Sequence, residues 1–254
     1  MKGMIMAAGV GTRLYPLTKD IPKPMVPIAG RPLMEHIVHL LRKHGITQLV
    51  ANLHYLPDEI QNYFKDGSEF GVNLKYTLEP ELLGTAGGVK NNRDFLDETF
   101  VIVSGDALTD INLGAFMRFH KTKGAIATIA LKPMEEVERF GVVITNPEGR
   151  IINFQEKPQK EEALSNLVNT GIYIFEPEIF NYIPNGEFYD FGKDLFPKLA
   201  LEGASFCGYI TEDYWCDVGN LEAYSQAQND SELGKVKLYL DQAFPRKAIN
   251  FSKY

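Results

Sequence analysis

Short apolar runs alternate with amphipathic stretches through the first 132 residues, and that alternation leaves few folds open. "GMIMAA" is an apolar run that ends at glycines, as buried parallel strands do. "RPLMEHIVHLLRKHG" follows, with Leu33, Met34, Ile37, Val38, Leu40 and Leu41 on one helical face and Gly45 as a stop. "TQLVANLHY", "VNLKYTLEP", "TFVIVSGDAL" and "AIATIAL" read as further strands, with helical stretches between them. After residue 132 the rhythm changes. "FGVVITNPEGRIINFQEKP" reads as two strands around an Asn-Pro-Glu-Gly turn, an antiparallel hairpin. The expectation is an α/β fold: a Rossmann-like, mixed, mostly parallel central sheet flanked by helices, with an antiparallel hairpin portion. In such folds ligands bind at the carboxyl ends of the strands. The expected domain covers residues 1–234. The tail, 235–254, carries five Lys or Arg against one Asp. A docked arm, a subunit contact and the start of a further module all remain open for it.

Composition closes several functional classes. With 254 residues, 44% of them hydrophobic, the chain can bury a substantial core without staples. A net charge of −7 argues against a general nucleic-acid binder. Two cysteines, Cys207 and Cys216, make no disulfide framework, so a reducing cytoplasm is the default compartment. No apolar run approaches the ~18 residues of a membrane span. The first ten residues are too short and glycine-broken for a signal peptide and suit a buried strand.

The loop "MAAGVGTRLYPLTKDIPKPM" is the first candidate for chemistry. A dinucleotide loop needs a third glycine where this chain has Leu14, and an acid after the second strand where it has "NLHY". A P-loop needs G-x-x-x-x-G-K-[ST], which neither this loop nor "LGTAGGVK" supplies. Phosphate physics remains. Gly9 and Gly11 allow close backbone approach, Arg13 offers a bidentate fork and Lys23 a point charge. Pro16, Pro22 and Pro24 block a regular helix, so a long, stiff, extended loop is expected. The bland alternative is a surface turn with two solvated cations.

Two carboxylates favour the first reading. Asp106 follows the buried run "VIVSG", and Asp217 follows "YWC". From distant segments they could share one hard cation, with phosphate oxygens completing its shell as Mg²⁺ prefers. Taken singly, Asp106 reads equally as a helix cap or turn residue, and Asp217 as a turn residue before Gly219.

At these residues the chain resembles the sugar-1-phosphate nucleotidyltransferases. "AAGVGTRLYPLTKDIPKPM" resembles that family's signature, and "LGTAGG", "SGDAL", "FGVV", "EKP", "VNTGIYIF" and "WCDVGN" follow in the family's order, to about Leu233. The resemblance implies attack of a sugar-1-phosphate oxygen on the α-phosphorus of a nucleoside triphosphate, with pyrophosphate leaving. It implies that Arg13 meets the leaving pyrophosphate and that Lys23 neutralises charge near the α-phosphate. Ala8, Gly9, Gly11 and Thr12 would cradle the nucleotide, and Glu79, Gly84 and Thr85 would recognise its base. Asp106 and Asp217 would hold Mg²⁺, Asp106 counting as catalytic with Arg13 and Lys23. Gly141, Glu156, Lys157 and Asn169 would grip the sugar, Lys157 also reaching its phosphate. The implied partners are a nucleoside triphosphate and a sugar-1-phosphate, with no nucleic acid or membrane; a homo-oligomer stays open.

Within the family, the opening loop and "LGTAGG" look most like the mannose-1-phosphate guanylyltransferase branch. "GDALTD", "GAIATI" and "NTGIYIFEPEIF" also resemble a uridylyltransferase branch acting on glucose-1-phosphate. GTP with mannose-1-phosphate is the favoured pair, UTP with glucose-1-phosphate the alternative. A silent regulatory homologue should have lost Arg13, Lys23, Asp106 or Asp217, and all four are present. A glycosyltransferase D-x-D motif is missing, since "GDALTD" spaces its acids too widely. His36 and His39 are three apart on a helix but lack further ligands, which makes them surface or half-buried histidines. Cys207 and Cys216 read as packing residues and Trp215 as an anchor for the Asp217 turn, while Tyr189 and Asp190 are further candidates for the sugar pocket.

Overall fold

A computed structural model describes residues 1–239. The fold is α/β, with a mixed, mostly parallel central sheet and antiparallel portions, as expected. The chain divides into two compact units. The first comprises Lys2–Glu81, Val103–Ile111 and the chain from Asp213; the second comprises Leu82–Ile102 and Asn112–Glu212, with Met1. Of the expected tail, 240–254 lie outside the described residues.

In the first unit, strands Lys2–Ala7, Gln48–Leu53 and Asn73–Leu78 run parallel, with Ala7 opposite Leu53 and Leu53 opposite Leu78. Met4, Ile5, Leu49, Ala51 and Leu53 are fully buried, which is why these strands read as nearly unbroken apolar runs. Because the strands are parallel and in register, Ala8, Asn52 and Glu79 come to the same edge. Helices Leu33–Lys43 and Pro57–Phe64 follow the first two strands, and Gly45, at φ +76°, ends the first helix as expected.

Helix Leu33–Lys43 is buried on every side through its first nine residues, polar ones included. His36 and His39 are therefore not surface or half-buried residues; they are 5% and 0% exposed. The apolar stripe explains one face. The other is filled by a polar cluster centred on Glu35, which pairs with Arg31, meets His39 Nε2 at 3.3 Å and accepts a 2.5 Å bond from the Tyr63 hydroxyl. His36 Nε2 donates to the Ile28 carbonyl at 2.9 Å, and burial pushes its pKa down to about 4 against that bond. With each Nε2 engaged in packing, the pair is structural.

The second unit is built on strand Ala127–Pro133, which pairs antiparallel with Leu167–Phe175 and parallel with Phe206–Ile210. Strands Gly141–Thr145 and Ile151–Glu156 form the expected hairpin, turning through Gly149 at φ +81°. Tyr173, Phe175, Phe191, Phe196 and Phe206 pack ring on ring beneath it. Of the aromatic run around residue 190, Phe180, Phe191 and Phe196 are core, whereas Phe188 is exposed.

Burial would raise the Glu35 pKa, but hydrogen bonds from His39, Tyr63 and Arg31 and the Arg31 charge bring it down to about 2. A carboxylate with a depressed native pKa adds stability above its unfolded pKa and loses it as pH falls through the native one. The shift corresponds to roughly 3 kcal/mol. Glu35→Gln is thus expected to lower the thermal midpoint most at neutral pH, with the gap to wild type closing towards pH 2. A gap independent of pH in a pH-resolved melting series would contradict this.

Candidate active site

The opening loop begins at the edge where the three parallel strands end. It is not extended. Two short 3₁₀ turns, Thr12–Leu14 and Lys23–Met25, coil it, and Leu14, Thr18, Ile21, Met25 and Val26 are buried. Apolar anchors between the prolines draw the loop inward, which the proline spacing alone did not reveal. Gly11 organises it: its carbonyl accepts from Leu14 N at 3.0 Å and from Thr18 Oγ1 at 2.7 Å. The Tyr55 hydroxyl holds the far side through the Lys19 carbonyl at 2.8 Å.

The two glycines differ. Gly11 sits at φ +71°, and an added Cβ would stand 2.9 Å from Lys23 Cβ. Gly9 has ordinary backbone, is exposed, and an added Cβ would meet nothing within 4 Å. The fold therefore needs glycine at 11, while at 9 only an approaching ligand would.

Coiling the loop places Lys23 at the centre of the unit's charge. Its side chain is 9% exposed, and its ammonium lies 2.5 Å from Asp106 Oδ2 and 3.7 Å from Asp217 Oδ1. Asp106 follows Gly105, whose added Cβ would stand 2.6 Å from the Met6 carbonyl oxygen and 3.4 Å from Pro24, so only glycine lets the segment pass there. Asp217 is delivered by strand pairing: Trp215–Asp217 runs antiparallel to Ala107–Thr109 with Asp217 opposite Ala107, and Val218 N donates to the Asp106 carbonyl at 2.9 Å. Burial would raise the Asp106 pKa, but the Lys23 charge and hydrogen bond, with the Ser104 hydroxyl at 2.5 Å, lower it. Asp106 is thus an anion at neutral pH. Arg13 is exposed and has no hydrogen bond or ion pair among the described residues.

Glu79 is 3% exposed and reached through a residue that the sequence reading missed. Asn52 accepts from Ala7 N at 3.1 Å and donates to Glu79 Oε1 at 2.7 Å, and His54 Nδ1 bonds the Glu79 carbonyl at 2.7 Å. Asn52 ties all three strand ends together. A buried amide at the end of an otherwise apolar strand was the available signal.

In the second unit the remaining candidates gather. Gly141 pairs with Glu156 across the hairpin, and Val168 pairs with Val142. One residue along from that last pair stand Gly141 and Asn169. Gly141, Glu156 and Asn169 thus form a row across three strands. Lys157, next to Glu156 and 3.3 Å from it, holds φ +49°, an uncommon conformation for a residue with a side chain. A Cβ on Gly141 would collide with the Phe154 ring. Asn169 donates to the Tyr173 hydroxyl at 3.1 Å and accepts from Gly171 N at 3.0 Å across a bulge. Gly84, at φ +74°, and Thr85 pack on residues 189–191: a Cβ at 84 would stand 2.5 Å from the Tyr189 oxygen, and Thr85 Oγ1 donates to Asp190 at 3.0 Å.

The family profile described as "Nucleotidyl transferase" matches residues 2–233. The chain belongs to the nucleotidyl transferase family. A UTP–glucose-1-phosphate uridylyltransferase from Synechocystis is 48% identical over 241 residues, covering 89% of this chain and 62% of that protein. A mannose-1-phosphate guanylyltransferase from Mycobacterium tuberculosis is 33% identical over 229 residues, covering 89% and 63%. This nucleotidyl transferase chain thus spans about three fifths of the length of both. A sucrose-bound crystal structure from Bacillus anthracis, described as a candidate glucose-1-phosphate thymidylyltransferase, aligns with TM-score 0.82 at 25% identity, over 96% of this chain and 98% of that one. The family expected from the sequence is borne out; within it, the uridylyltransferase relative shares 48% identity with this chain and the guanylyltransferase relative 33%. Within "LGTAGG", Gly84 lies against the Tyr189 backbone, and a Cβ on Gly87 would stand 2.9 Å from the Glu187 carbonyl oxygen.

Gly11→Ala is expected to cost about 1 kcal/mol or more, and Gly9→Ala less than about 0.5 kcal/mol, in thermal unfolding. Equal losses would contradict the separate roles of the two glycines.

Proposed function

We propose that the chain transfers a uridylyl group from UTP to glucose 1-phosphate, releasing pyrophosphate. The observation that carries the chemistry is the buried Lys23 ammonium set against Asp106 and Asp217 where the strands end. The substrate pair rests on 48% identity to the uridylyl relative against 33% to the mannose one.

Two carboxylates suit Mg²⁺, which binds through one or two carboxylates and takes the rest of its shell from water and phosphate. Asp106 and Asp217 would hold the ion, which when bound supplies charge neutralisation for the triphosphate. Lys23 neutralises the phosphate that undergoes substitution, and the exposed Arg13 forks onto the leaving pyrophosphate. The 1-phosphate oxygen attacks the α-phosphorus, and the bond to the β-phosphate oxygen breaks with its electron pair on pyrophosphate. In-line positioning and charge neutralisation suffice, so no nucleophilic side chain is required. Ala8, Gly9, Gly11 and Thr12 offer backbone to the nucleotide, with Glu79, Gly84 and Thr85 on the base. The row of Gly141, Glu156 and Asn169, with Lys157, takes the sugar.

Pyrophosphate release across a matrix of nucleoside triphosphates and sugar-1-phosphates, with Mg²⁺, tests this. UTP with glucose 1-phosphate should lead. Preference for GTP with mannose 1-phosphate would overturn the pair, and release from no combination would overturn the enzyme. Asp106→Asn and Asp217→Asn should each lower turnover by at least ~100-fold with the circular dichroism spectrum unchanged. Near-normal turnover in either would remove that residue from the metal site.

A further inference from the structure

Glu156 rests on an unusual neighbour. Residues Phe191–Leu195 form a π-helical turn that runs into helix Phe196–Leu201, and Asp190 caps it by accepting from Gly192 N at 2.9 Å and Lys193 N at 3.1 Å. The same aspartate accepts the Thr85 hydroxyl at 3.0 Å, and Thr85 Oγ1 in turn accepts from Phe191 N at 2.7 Å. The turn is therefore pinned at its first residues. Gly192 stands on it with ordinary backbone, yet an added Cβ would overlap Glu156 Oε2 and lie 3.5 Å from Asp190 Oδ1. The other Glu156 oxygen, Oε1, faces the Lys157 ammonium. One carboxylate oxygen is seated against a bare Cα, the other against a cation. π-Turns of this kind concentrate at functional sites.

We propose that Gly192 is a positioning residue for sugar recognition. Its missing side chain sets how deeply the Glu156 carboxylate is seated, and Asp190, with Thr85, fixes the turn that carries it. The proposal rests on the sugar role given to Glu156 above. The atom that a Gly192 side chain would displace is the tip of a flexible side chain, and no other group lies closer than Asp190 Oδ1 apart from the rest of the Glu156 carboxyl. A methyl group there should move the carboxylate and leave the fold intact.

The test compares binding of UDP-glucose with UDP, and of GDP-mannose with GDP, by isothermal titration calorimetry, so it needs no turnover. In wild type the sugar should tighten binding for one pair. Gly192→Ala should lose about tenfold of affinity for that nucleotide-sugar, about 1.4 kcal/mol, with the nucleoside diphosphate changed less than about twofold. The thermal midpoint should hold. Asp190→Ala should share the loss and Asp190→Asn, whose single amide oxygen can keep the cap while its NH₂ donates to Thr85 Oγ1, should restore most of it; these two carry the test if Gly192→Ala fails to fold. No sugar-dependent gain in wild type, a gain retained in Gly192→Ala, or equal losses for nucleotide and nucleotide-sugar would each overturn the proposal. Failure of wild type to release pyrophosphate would instead reject the enzymatic reading and leave the calorimetric comparison decisive for Gly192.

Discussion

One ion cluster orders the first unit: the Lys23 ammonium, buried and held between the carboxylates of Asp106 and Asp217. An isolated buried charge costs several kcal/mol, so the fold must bring opposite charge to meet it. Three segments distant in sequence are arranged to do so. The opening loop coils on the Gly11 carbonyl to aim Lys23 inward. Gly105 lets the chain pass the Met6 carbonyl and present Asp106. A short strand pair then registers Asp217 beside it. Each device is local, and together they place a cation and two anions where the parallel strands end.

The same charges make the cluster responsive. Two carboxylates and one ammonium leave one net negative charge, and in the proposed reaction a divalent cation would take up that charge while a triphosphate would offer the ammonium a second set of anionic oxygens. The second unit follows a similar logic with different parts: the antiparallel hairpin sets Gly141 opposite Glu156, and a capped turn sets where the Glu156 carboxylate rests.

Much of this was legible in the sequence. Alternating apolar runs announced the parallel strands because those strands are buried on both faces. The Asn-Pro-Glu-Gly turn announced the hairpin. Asp106 and Asp217 were found because each follows an apolar run. What stayed hidden depends on contacts between distant segments. The coiling of the opening loop rests on Leu14, Ile21 and Met25 finding a core, which prolines do not encode. His36 and His39 read as peripheral because periodicity shows only the apolar stripe, whereas Tyr63 and Arg31 complete a buried polar cluster around Glu35. The packing of "LGTAGG" was hidden too, because its glycines Gly84 and Gly87 meet the distant Tyr189 and Glu187 backbone.

The central claim is that Lys23 competes with a divalent cation for Asp106 and Asp217 and is released towards phosphate. Mn²⁺ binding to the nucleotide-free protein, followed by electron paramagnetic resonance in wild type and Lys23→Met, tests it most directly. Two unit charges about 4 Å apart interact by several kcal/mol at protein-like screening, so removing the ammonium should tighten Mn²⁺ by at least about tenfold while abolishing turnover. Unchanged or weaker Mn²⁺ binding in Lys23→Met would contradict the account.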